Sequence, residues 1–217
     1  MDRSTVKMNA FGLRLHISRG FVVMLALLLW MDEGVSLLLP ALAACAAHEC
    51  GHIAAIRCMG LNVKRVHLTA IGAEIVMEEG KVISYWKEML IHIAGPLFNF
   101  LCAIPAMKLG GFLFAGMSLG QGIFNMLPAL PLDGGKTLCS ACSFFFGPER
   151  AERIMVVLSA ATTGFLFGAA LYVFLQFGNL TLILVVLWLL SGLMNTGKKI
   201  EKVRIKKKIM LAKRRKA

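Results

Sequence analysis

The sequence predicts an all-α membrane protein of about six transmembrane helices, with a small membrane-associated β-sheet at its cytoplasmic face. Three observations predict it. Of 217 residues, 58% are hydrophobic and only 17% charged, where a soluble domain carries about a quarter charged. The mean hydropathy is +0.72, an apolar surplus that a core alone cannot absorb. Several apolar stretches reach the roughly 20 residues a spanning helix needs, while one short segment alternates with a period of two and another reads as a hairpin.

The expected spans run over residues 15–31, 35–56, 89–107, 112–132, 154–177 and 180–196. Phe21 to Met31 is too short alone, so the first span needs residues from Leu15 onward or a shallow position. The sixth is slightly short but almost uncharged. An even number of crossings puts both termini on one side. Arg3, Lys7, Arg14 and Arg19 flank the first span, whereas the connections near Asp32 and Asn179 carry no positive charge. Lysine and arginine concentrate on cytoplasmic flanks, so both ends are expected in the cytoplasm of a multi-pass cell-membrane protein. Arg57, Lys64, Arg65 and the stretch from Glu149 to Arg153 fall on the same side.

These two segments read as strands. Leu13, Leu15 and Ile17 alternate with Arg14, His16 and Ser18, and Leu61 to Glu79 reads as a short hairpin with Gly72 in it. Irregular or extended backbone at membrane depth needs protein or water around it.

The net charge of +12 would suit a nucleic-acid binder, but its placement argues otherwise. Eleven Lys and Arg lie between Lys198 and Lys216, directly after an apolar stretch. Such a block is a membrane flank facing anionic lipid. The expected organisation is one membrane domain, residues 1–197, and a basic cytoplasmic tail, residues 198–217, with the bilayer and no nucleic acid as partner. The six cysteines, Cys45, Cys50, Cys58, Cys102, Cys139 and Cys142, lie mostly in apolar runs, where free Cys behaves as a small hydrophobe. No structural disulfide is expected. The first apolar run has no small-residue cleavage site, so no signal peptide is expected either.

The chemistry concentrates in His48-Glu49-Cys50-Gly51-His52, inside the second span. Positions four apart share a helix face, so both imidazoles can reach one metal ion, with Glu49 beside them as a general base. Ionisable groups at membrane depth cost several kcal/mol and are functional candidates by default. The bland alternative is a pair of helix-lining histidines bonded to neighbours. A catalytic zinc keeps three protein ligands. Of three aspartates, Asp133 alone ends a spanning segment. Pro128 and Pro131 break the helix ahead of it, and Gly134 and Gly135 are expected to allow an unusual turn. The alternative there is a plain helix end capped by Asp and Gly.

His48 to His52 together with Asn125 to Gly135 resembles the site-2 protease family of intramembrane zinc metalloproteases, and within it the sporulation subgroup. The resemblance implies that His48, His52 and Asp133 hold Zn2+ and that Glu49 activates water for peptide hydrolysis. It implies that Asn125 and Pro131 hold a substrate strand or the oxyanion. Ala94-Gly95-Pro96 with Asn99 resembles the family's stretch in its third core helix, and Leu15-His16-Ile17 its N-terminal strand. The implied substrate is a membrane-tethered protein, a sigma-factor precursor or anti-sigma factor, cut in or near its transmembrane segment, with a regulatory membrane protein as a further partner. Two departures are expected: no CBS domain after the membrane core, and no PDZ insertion.

His92 is a candidate fourth metal group or proton relay, or a hydrogen-bonding group inside the bundle. His16 and His67 lie on the expected strands. Cys50, two residues from His48, points away from the histidine pair and reads as packing. A metal transporter is the competing reading, but it would spread ligands along a path through the membrane. A proteolytically inactive relative is another, and the retained Glu49 argues against it.

Overall fold

The computed structural model describes residues 5–10, 13–31, 37–70, 72–78 and 83–194. The chain forms two compact units that divide between Phe124 and Asn125.

In the first unit the order is β1 (Thr5–Ala10), β2 (Leu13–Ser18), α1 (Arg19–Met31), α2 (Leu38–Cys58), β3 (Val63–Thr69), β4 (Gly72–Met77), α3 (Tyr85–Lys108) and α4 (Phe112–Asn125), the last ending at the boundary. The four strands form one sheet in sequence order. β1 and β2 pair antiparallel, as do β3 and β4, but β2 and β3 run parallel, with His16 opposite His67. Parallel neighbours need a long crossover, and α1 with α2 supplies it. The β3–β4 turn uses Gly72 at φ +134°, open to glycine alone. Ile56, Leu61 and Ile91 are buried together, with Val63, Ile75 and Met77 packed on them. That small core ties the end of α2, the hairpin and the start of α3 together beside the histidine motif.

The second unit holds an irregular stretch from Met126 to Leu132, then α5 (Asp133–Phe146), α6 (Pro148–Phe177) and α7 (Thr181–Met194). Pro148 opens α6, where its missing N–H costs nothing, and Gly178 at φ +66° closes it in the left-handed conformation.

Among the described residues, α2, α3 and α6 are long and apolar enough to cross a membrane, at 21, 24 and 30 residues. At 1.5 Å per residue even α2 is about 32 Å long, against a hydrocarbon core of about 30 Å. Their polarity is inverted relative to a soluble helix. On α3, Leu101 is 63% exposed while Asn99 is wholly buried; on α6, Phe165 is 78% exposed while Ser159 is wholly buried. Apolar side chains outside and hydrogen-bonding ones inside is the arrangement lipid demands.

The structure corrects the expected spans in two places. Residues 15–18 belong to β2, so α1 has only 13 residues. The expected span 112–132 is helical only to Asn125. Its apolar residues continue, but prolines at 128 and 131 remove helix donors and the backbone leaves the helix. The chain resumes as α5, a helix that polar Lys136, Thr137, Ser140 and Ser143 kept out of the hydropathy pattern. β1 was also not anticipated. The expected strands near Leu15 and the hairpin are present. Residues 35–36, 195–196 and the basic tail 198–217 lie outside the described residues.

Candidate metal centre

α2 carries His48 and His52 along one face, four residues apart, well inside the helix. Both are buried, at 3% and 7% exposure. Their rings meet edge-on, with centroids 4.8 Å apart, and their Nε2 atoms lie 3.1 Å from each other.

α3 makes that convergence, from its own sequence. His52 Nδ1–H donates to the carbonyl oxygen of Ile91 at 2.7 Å, which leaves the Nε2 lone pair facing His48. The Asn99 amide stands 3.4 Å from His48 Nδ1. Gly95 lies between these two, against the rings: a Cβ there would overlap His52 Nε2 and stand 2.9 Å from His48 Nε2. The reciprocal position is Gly51 on α2, where a Cβ would lie 2.6 Å from the Ala94 carbonyl oxygen and from Phe98 Cβ. Two glycines facing across a helix pair let backbones approach as larger residues would not.

Two imidazole nitrogens bound tetrahedrally to zinc at roughly 2.0–2.1 Å stand about 3.3 Å apart. The observed 3.1 Å fits that cation. Glu49 follows His48 one step round the helix and is half-buried.

Asp133 is the first residue of α5 and is 6% exposed. Its Oδ1 pairs with Lys136 Nζ at 3.2 Å. The glycines after it do a different job from the one expected. Neither takes a positive φ; both are helical. A Cβ on Gly134 would overlap the Met126 carbonyl, and one on Gly135 would come within 2.5 Å of the Ala129 carbonyl oxygen. They are glycine because the first turn of α5 lies against the irregular stretch. Ser159 on α6 holds that stretch, accepting from Leu130 N–H at 3.0 Å, and Thr162 donates towards the Pro128 carbonyl at 3.4 Å. Sequence reasoning missed Ser159, whose signal was a hydroxyl in an otherwise apolar span.

Other candidates stand apart. His92 neighbours Ile91 on α3, and no group of metal-ligating side chains among the described residues includes it. His16 and His67 pair across the sheet, ring centroids 6.3 Å apart. Cys50 is exposed on α2, away from the buried imidazoles.

Residues 36–115 match the model of Peptidase family M50. A zinc metalloprotease of Methanocaldococcus jannaschii is 30% identical over 159 residues, 67% of this chain and 44% of that protein. The chain belongs to peptidase family M50, the site-2 proteases. Stage IV sporulation protein FB of Bacillus subtilis is also 30% identical, over 65% of this chain and 52% of its own length. The chain thus spans about half the length, or less, of the curated relatives it matches. A solved site-2 protease from Methanocaldococcus jannaschii shares the fold with a TM-score of 0.65 at 21% identity, over 88% of this chain and 94% of that one. The M50 match covers the whole histidine motif and all of α3, so zinc, the metal in the relatives' names, and the two-imidazole geometry agree. A metal transporter finds no support in these relatives.

Proposed function

We propose that this M50 chain is an intramembrane zinc endopeptidase that hydrolyses a peptide bond in or near the transmembrane segment of a membrane-tethered protein. The observation that carries the reading is the pair of buried Nε2 atoms 3.1 Å apart, midway along an apolar helix.

In this reading Asp133 is the third ligand. Its burial and its position at the first turn of a helix favour a fixed carboxylate, and a carboxylate beside two imidazoles completes the three protein ligands of a catalytic zinc. When bound, zinc supplies a Lewis acid and lowers the pKa of water towards about 7. Glu49 then takes the proton of the attacking water and passes it to the leaving amine. The Asn125 amide donates to the developing oxyanion, and Pro131 shapes the wall beside the substrate strand. Ile91 and Asn99 hold the imidazoles, while the apolar exterior of α2 and α3 excludes water.

The same reading assigns about six crossings, with α1, α4 and α7 as the short ones, both termini and the sheet cytoplasmic, and the basic tail against anionic lipid. Residues 1–197 form the protease domain and 198–217 the tail. The likeness to a sporulation protein supports regulated proteolysis of a sigma-factor precursor or anti-sigma factor, under the control of another membrane protein.

Glu49→Gln tests the reading. The variant is expected to keep the parent's zinc content and to lose cleavage of a co-expressed membrane-tethered reporter by at least a hundredfold. Cleavage at the parent's rate would overturn it.

A further inference from the structure

The two histidines are held differently. His52 Nδ1 faces the Ile91 carbonyl oxygen, which only accepts, so His52 has one tautomer: hydrogen on Nδ1, lone pair on Nε2. His48 Nδ1 faces the Asn99 side chain at 3.4 Å, and a carboxamide can donate or accept depending on which end it presents.

The orientation decides what Nε2 can do. With Asn99 Nδ2–H donating to Nδ1, the His48 hydrogen sits on Nε2, where it bridges the 3.1 Å to His52 Nε2 and fills the place of the metal. In that arrangement Asn99 Oδ1, on a wholly buried side chain, has no hydrogen-bond partner. Rotating the amide by half a turn brings Oδ1 to Nδ1. Oδ1 then accepts Nδ1–H, and the Nε2 lone pair is bare for a cation. His48 is neutral in both states; its one hydrogen moves from Nε2 to Nδ1, and no net proton is released. The rotation needs no extra volume, because the two ends of a carboxamide are nearly the same size.

We infer that Asn99 is a positioning residue whose amide orientation selects the His48 tautomer, metal-free with the hydrogen on Nε2 and zinc-bound with the hydrogen on Nδ1. The inference deepens the proposed function and rests on its assignment of His48 as a zinc ligand. A carboxamide wholly buried at membrane depth is costly without such a task. Partners of this kind orient a ligating imidazole and raise its basicity, and losing one costs 10–100-fold in metal affinity.

The test uses the purified full chain in detergent, with Zn2+ as the probe. Histidine 15N spectra of the parent, with His48 and His52 assigned among the five histidines, are expected to show His48 carrying hydrogen on Nε2 without zinc and both His48 and His52 carrying it on Nδ1 with zinc. Zinc affinity, read by competition with a chromophoric chelator, is expected to fall 10–100-fold in Asn99→Leu, which can neither donate nor accept. Asn99→Asp, whose carboxylate accepts from Nδ1–H permanently, is expected to match or exceed the parent and to show hydrogen on Nδ1 even without zinc. A zinc-binding parent that keeps hydrogen on His48 Nε2 overturns the inference alone, as does an Asn99→Leu affinity within threefold of the parent or an Asn99→Asp affinity as weak as that of Asn99→Leu. The parent spectra need no variant, so a variant that fails to fold leaves the inference testable. A parent that takes up no zinc sinks the proposed function as well.

Discussion

Gly95 on α3 presents its bare Cα to the imidazoles of α2: a methyl group there would overlap His52 Nε2 and stand 2.9 Å from His48 Nε2. The metal centre therefore depends on an absent side chain as much as on the donors present. In the close-packed interior neither ring can retreat, because His52 is tied to Ile91 and His48 lies against Asn99.

Gly95→Ala is accordingly expected to lower zinc affinity by at least tenfold while the chain keeps its helical content. Zinc per chain and circular dichroism, measured on one preparation, check this. Gly164→Ala serves as the control: that glycine has open space around it on α6, and zinc content is expected to stay at the parent's level.

Ser159→Ala removes the acceptor for Leu130 N–H. A buried donor left unpaired costs about 1–3 kcal/mol, so the unfolding temperature in detergent is expected to drop by several degrees. Thr162→Val is expected to do less, since that hydroxyl reaches Pro128 only at 3.4 Å and also bonds its own helix at Leu158. Equal effects of the two changes would contradict the assignment of Ser159 as the main tie on the stretch before Asp133.

Metal removal gives a third check. A ligand bound only to the folded state stabilises it by about 2.7 kcal/mol at a hundred times its dissociation constant. Chelation is expected to lower the unfolding temperature of the parent and of Glu49→Gln equally. His48→Ala and His52→Ala, which lack a ligand, are expected to show no response to the chelator.

How far the residues reveal this arrangement in advance differs from segment to segment. α2, α3 and α6 are legible because a long uncharged apolar run has few alternatives in a chain this hydrophobic. The histidine pair is legible because four residues bring side chains to one face. The break between Met126 and Leu132 is legible in Pro128 and Pro131, whereas hydropathy, which sums side chains, counts the same residues as part of a span. α5 escapes notice for the opposite reason, being helical but half polar. The role of Gly134 and Gly135 is hidden as well. Their neighbours, the carbonyls of Met126 and Ala129, sit close in sequence, but only the fold turns them towards the first turn of α5. Asn99 and His48 are each visible as motif residues, while their pairing across 51 positions is not.

The most direct measurement is X-ray absorption at the zinc edge on the purified chain. The account predicts one zinc per chain with two imidazole nitrogens at about 2.0–2.1 Å and further oxygen ligands, one of them lost in Asp133→Ala. Sulfur ligands from the cysteines, or a coordination shell unchanged in His48→Ala, would contradict it.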